Sequence, residues 1–223
     1  EEEKKYNFMP VVLPTGARKT SSVVNFIAKY IKNGGESNIL FVTTLKKNLP
    51  VSEISEEDKL RKSFEENGIG SMYDDKVLVV DSLPNMLKDN YPKLINLEKT
   101  YLRAKMGDSV ADELDTYLRS LKEASVSKIA YDEVFDRFRD FESGFRFRIA
   151  KLLKNLSEDP AERKKLATQD NGWKWVSKLY PTVYTSDRQV FLMSMDKFVS
   201  THDTIVEGRY SIYDSKMIEN GII

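Results

Sequence analysis

Phe8-Met9-Pro10-Val11-Val12-Leu13 is a short apolar run that stops at Pro14-Thr15-Gly16, as a buried strand entering a turn does. Ala17-Arg18-Lys19-Thr20-Ser21 follows, and then Val23, Val24, Ile27, Tyr30 and Ile31 recur at helical spacing until Asn33-Gly34-Gly35 supplies a stop. Strand, loop and helix in this order form the context that a phosphate-binding loop requires. In such a loop consecutive backbone N–H groups and the helix N-terminus surround the phosphates, a lysine neutralises the terminal ones, and the next hydroxyl ligates magnesium. The candidate nucleotide-binding residues are therefore Thr15, Gly16, Ala17, Arg18, Lys19, Thr20 and Ser21, with Lys19 as the cation and Thr20 as the magnesium ligand.

Downstream, Asn38 to Thr44 (NILFVTT) and Lys76 to Asp81 (KVLVVD) are further apolar runs rich in β-branched residues, with a helical stretch around Ser55 to Asn67 between them. Alternating elements of this kind predict an α/β fold on a parallel sheet. From Tyr91 to about Leu166 the pattern changes to long helices. Val110, Leu114, Tyr117, Leu118 and Leu121 form one apolar stripe, and a longer helix spans about Tyr131 to Leu156. The expected inward positions of that helix are Tyr131, Phe135, Phe138, Phe145, Ile149, Leu152 and Leu156. Strand character returns at Gln189 to Met195, and Asn220-Gly221 closes a short helix before Ile222-Ile223, which begin another strand. This divides the chain into residues 1–90, a helical insertion over 91–166, and a continuation over 167–223.

The composition removes several classes of function. At 223 residues, one large α/β domain with an insertion is expected. With 40% hydrophobic and 31% charged residues, and no apolar run near the roughly 20 residues of a bilayer span, neither disorder nor membrane insertion is indicated. The absence of cysteine excludes disulfides and thiolate metal sites, and the single His202 cannot make a histidine cluster. Cytoplasmic residence is the expectation. Lys+Arg and Asp+Glu are equal at 35 each, so bulk electrostatics do not point to nucleic acid, although a local basic stripe still could.

The segment Pro14-Thr15-Gly16-Ala17-Arg18-Lys19-Thr20 resembles the first motif of superfamily 2 (DEAD/DEAH-like) helicases, in which proline or alanine precedes Thr-Gly-x-Gly-Lys-Thr. It departs from that pattern at Arg18, where the family has glycine. Glycine there lets the backbone approach phosphate closely, so Arg18 is expected to weaken nucleotide binding and hydrolysis. The resemblance implies a RecA-like P-loop parallel sheet flanked by helices, ATP and magnesium as cofactors, and DNA or RNA as partner. It also implies a second RecA-like domain, absent from this chain, without which unwinding is not expected. Ile39 to Leu49 (ILFVTTLKKNL) resembles the motif that touches the nucleic-acid backbone, which assigns Thr44 and Lys46 to that contact, and Val190 to Met195 resembles a strand ending near a further contact at Ser194. A non-catalytic degenerate RecA-like module, and the ATPase of a restriction or defence complex, are the alternatives.

Hydrolysis in this family needs a carboxylate pair on magnesium. Two placements compete: a strand beginning at Asn220-Gly221-Ile222-Ile223, with the pair immediately beyond, or Ile129-Ala130-Tyr131-Asp132-Glu133. The helical period from Tyr131 onward favours the first. No catalytic residue is assigned. Among weaker candidates, His202 reads as a solvated loop residue rather than a base, Trp173 and Trp175 as packing rather than base-stacking platforms, and the arginines between Arg137 and Arg148 as a solvated face rather than a phosphate stripe.

Overall fold

A computed structural model describes residues 19–51, 58–94, 96–211 and 221–222. The apolar run 8–13 and Thr15, Gly16, Ala17 and Arg18 lie outside the described residues, as do 52–57, Asn220 and Ile223. The fold is mixed α/β, with a small parallel sheet and many helices. Two compact units are distinguished, one comprising residues 1–35 and 50–73, the other 36–49 and 74–223.

In the first unit, α1 (Lys19–Lys32) packs against α2 (Lys59–Glu66). Ser63 Oγ donates to the Val24 carbonyl at 3.3 Å, and Phe64 meets Tyr73 edge to face at 5.4 Å. Both helices end on a glycine with positive φ, Gly34 at 77° and Gly68 at 76°. After each, the next residue's N–H reaches back to the carbonyl five residues earlier, Gly35 to Tyr30 and Ile69 to Phe64. That geometry satisfies terminal carbonyls and requires a residue without a Cβ penalty, so the predicted stop at Asn33-Gly34-Gly35 is observed.

In the second unit, β1 (Asn38–Thr43), β2 (Val77–Val80), β3 (Val190–Ser194) and the two-residue β6 (Gly221–Ile222) form a parallel sheet in the order β2-β3-β1-β6. The strands read as continuous apolar runs because both faces are covered, as in parallel sheets generally. Leu40, Leu78, Val80, Phe191 and Met193 form one buried cluster with Phe198 of α10 (Met195–Val199). A short antiparallel hairpin, β4 (Thr201–Asp203) with β5 (Arg209–Ser211), follows α10.

After α3 (Tyr73–Lys76), the helical part comprises α4 (Leu83–Asn90), α5 (Asn96–Met106), α6 (Asp108–Ala124), α7 (Lys128–Leu156), α8 (Pro160–Gln169) and α9 (Trp175–Leu179), and then a 3-10 turn over Pro181–Asp187. The α6 stripe is as expected: Val110, Leu114 and Leu121 are buried, with Tyr117 and Leu118 packed beside them. Helix α7 begins three residues before Tyr131 because Ser127 caps it, accepting from Ala130 N–H at 3.4 Å. A row of rings runs along its inner face. Tyr131, Phe135, Phe138, Phe141 and Phe145 follow one another at centroid separations of 5.8, 6.1, 6.5 and 5.9 Å, and Phe145 reaches Trp175 at 6.5 Å. Leu156 is a correction: at the last turn of α7 it is 55% exposed.

Candidate functional site

Parallel pairing places the residues that the sequence assigned to nucleic-acid contact on one edge. Thr43 is in register with Ser194, so Thr44 and Ser194 leave the sheet at the carboxyl ends of neighbouring strands. Thr44 is exposed, and Thr43 Oγ1 donates to the Leu45 carbonyl at 2.9 Å, turning the chain toward Lys46. Lys46 reaches across β3 to form an ion pair with Asp81, the residue following β2. In open parallel sheets, ligands bind in the crevice outside the carboxyl ends of the strands, which is the edge that Thr44, Lys46 and Ser194 occupy.

Asp81 organises the edge. Its Oδ1 accepts from the Ser82 N–H at 2.7 Å and from Asn85 Nδ2 at 3.0 Å, while Ser82 Oγ accepts from the Asn85 N–H at 3.3 Å as the cap of α4. Burial pushes the Asp81 carboxyl up, but Lys46, Asn85 and the Ser82 N–H outweigh it and hold the group below the usual carboxylate range. Asp81 is therefore a fixed anion at the helix N-terminus, where a negative charge is favoured.

Beside Asp81 opens a polar cleft of about 330 Å³, lined by Ser82 and by residues from α7, the 3-10 turn, α10 and the hairpin. Arg146 of α7 lines it from below. Its Nε donates to Glu142 Oε1 at 3.1 Å and its Nη1 to Asp203 Oδ2 at 3.0 Å. Glu142, 1% exposed, also accepts from the Tyr180 hydroxyl at 3.1 Å. Burial raises the Glu142 carboxyl above its ordinary range despite Arg146 and Tyr180, and burial together with Glu142 pushes the Tyr180 phenol well up. Asp203 Oδ1 accepts from Ile205 N–H at 2.8 Å and holds that residue at φ 70°, a left-handed conformation that β-branched side chains rarely adopt.

His202 is a second correction. It lies on β4 opposite Tyr210 and is 6% exposed, not a solvated loop residue. Burial lowers its pKa, and because a carbonyl can only accept, the Nε2 facing the Lys197 carbonyl carries the proton. Trp173 and Trp175 are core residues, stacked at 6.1 Å, with Trp175 Nε1 donating to the Gly172 carbonyl at 3.0 Å. Asp132 and Glu133 are exposed acids in the first turns of α7, so the placement of a strand at Ile129 to Glu133 is excluded. Of the arginines on α7, Arg137, Arg139 and Arg148 are exposed and Arg146 is half-buried, a distinction the sequence did not mark.

In the first unit, Lys19, Thr20 and Ser21 form the first turn of α1, with Lys19 and Ser21 exposed. The Thr20 hydroxyl is a hard oxygen donor of the kind magnesium takes alongside phosphate and water. Among the described residues no group of three His, Asp or Glu side chains could hold a metal ion, and no helix is long and apolar enough to cross a membrane. No protein-family model matches the chain, and no curated protein matches it.

Proposed function

We propose that the chain is the ATP-binding part of a superfamily 2 helicase or translocase, a RecA-like P-loop sheet carrying a helical insertion over residues 91–166, with nucleic acid crossing the carboxyl edge of the sheet. The observation that carries this reading is the parallel register of β1 and β3, which sets Thr44 and Ser194 side by side with Lys46 at that edge. These are the positions that the order of motifs gives to backbone contacts. A second support is β6: Gly221–Ile222 pairs parallel with β1, where a strand leading into the acidic motif belongs in this reading. ATP and magnesium are assigned to Thr15, Gly16, Ala17, Arg18, Lys19, Thr20 and Ser21, with Lys19 facing the terminal phosphates and Thr20 ligating the metal.

Arg18 favours a second reading, a degenerate module in which nucleotide no longer binds and the carboxyl edge alone is used. An acyl-phosphate derivative of ATP separates the two, since it transfers its acyl group to a lysine lying at the phosphates. Acylation concentrated on Lys19 and suppressed by excess ATP supports the nucleotide site. Labelling spread over surface lysines and indifferent to ATP counts against it.

A further inference from the structure

The cleft beside Asp81 uses residues that the motif assignments leave out. Its two acids are already engaged, Asp81 by Lys46 and Asp203 by Arg146. Lys197 of α10 and Arg209 of β5 also line it, and neither has a hydrogen-bond or ion-pair partner for its side chain among the described residues. His202 donates its Nε2–H to the Lys197 carbonyl. Lys197 and Arg209 therefore face a polar hollow whose carboxylates already have cationic partners, with Arg146 shared between Asp203 and Glu142.

Hydroxyls complete the lining. Ser82 Oγ uses a lone pair on the Asn85 N–H, which leaves its own O–H to donate. Thr182, 1% exposed, has an Oγ1 that is buried without any hydrogen-bond partner. A buried hydroxyl of that kind is unfavourable unless something satisfies it. The hairpin carrying Arg209 is anchored, because Asp203 holds the Ile205 N–H and Arg163 donates from Nε and Nη2 to the Val206 carbonyl at 3.1 and 2.8 Å.

We propose that this cleft binds a phosphate group, with Lys197 and Arg209 contributing charge and Ser82 and Thr182 contributing hydroxyls. Arg146 serves as a positioning residue that fixes Asp203 and hence the hairpin. Two cations with several hydroxyls match an anion rich in acceptor oxygens, and the volume accommodates a phosphodiester with its sugar. The phosphate's source rests on the reading above: a nucleic-acid strand crossing the carboxyl edge. Free phosphate or pyrophosphate offers the same chemistry.

The test uses the whole chain, a fluorescein-labelled single-stranded oligonucleotide followed by anisotropy across a salt series, and inorganic pyrophosphate followed by calorimetry. The variants are Lys197→Ala/Arg209→Ala and Thr182→Val, each checked by thermal melting. We expect the double variant to melt like the parent, to bind oligonucleotide about tenfold more weakly at low salt, and to lose about 0.7 of the log–log salt slope per contact removed. Thr182→Val is expected to weaken binding in the same direction. Oligonucleotide binding with affinity and salt slope equal to the parent's would overturn the cleft proposal while leaving the nucleic-acid reading intact. Pyrophosphate binding that the double variant abolishes, with no oligonucleotide binding by the parent, would support the cleft and overturn the nucleic-acid source. Binding of neither probe would overturn both.

Discussion

Lys46 and Asp81 are ion-paired across the carboxyl edge of the sheet, the lysine from the turn after β1 and the aspartate from the end of β2, with β3 lying between the two strands. One carboxylate thus fixes a loop cation, caps α4 through Ser82 and Asn85, and borders the cleft. Replacing Asp81 by Asn should cost about 1 kcal/mol at neutral pH, a modest figure because the Lys46 side chain is 39% exposed and water screens the pair. The folded carboxyl titrates below its unfolded value, so its stabilisation is present above the unfolded pKa of about 3.9 and disappears as pH falls through the folded one. Urea melts of parent and Asp81→Asn should therefore differ at pH 7 and draw together as pH falls through the folded pKa. A constant gap would show that the carboxylate's charge is not what stabilises the edge.

The aromatic row on α7 carries the helical core. Phe138 is fully buried between Phe135 and Phe141, whereas Phe147 is 69% exposed on the opposite face. Phe138→Ala should lower unfolding stability by about 4 kcal/mol, and Phe147→Ala should stay within about 0.5 kcal/mol of the parent. Denaturant melts of the two variants decide it, and comparable losses would contradict the assigned helix face.

Glu142, Tyr180 and Arg146 form a buried polar group whose members depend on one another. Glu142→Ala leaves a phenol and a guanidinium short of their acceptor and should cost about 3 kcal/mol, while Glu142→Gln, which can still accept, should cost less. The folded pKa of Glu142 is raised, so the stability it contributes is complete below its unfolded value and declines as pH rises through the folded one. Stability measured between pH 4 and pH 7 should accordingly fall more steeply with rising pH in the parent than in Glu142→Gln. Parallel profiles would contradict the burial of this carboxylate.

Gly34 and Gly68 can be tested without disturbing any packing, because a Cβ built on either meets no atom within 4 Å. Alanine at either position should destabilise by about 1 kcal/mol through the left-handed backbone alone. Thermal melts that rise instead would mean the helix ends differ from those described.

The three longest strands were legible because a parallel sheet covered on both faces needs uninterrupted apolar runs, and Ile39 to Val42, Val77 to Val80 and Val190 to Met193 are such runs. Thr44, Lys46 and Ser194 could be placed on one edge from strand order alone, since parallel strands end on the same side. The cleft was not legible. Arg146, Thr182, Lys197 and Arg209 come from four elements, and nothing in their local patterns distinguishes them from surface polar residues until the chain has folded. His202 was misread because three-residue strands are too short to leave a period of two, and its neighbours Thr201 and Asp203 look like loop residues. Leu156 kept the helical period but fell on the last turn of α7, where the helix has run past its packing partners.

The phosphate-binding loop proposed for Thr15 to Ser21, impaired at Arg18, is put to calorimetry of ATP with magnesium against this chain and its Arg18→Gly variant. The variant should bind at least about tenfold more tightly than the parent, a gain of about 1.4 kcal/mol, because glycine restores the close approach of backbone to phosphate. Binding of ATP by neither protein would mean that these residues form no nucleotide site and would leave the degenerate module in its place.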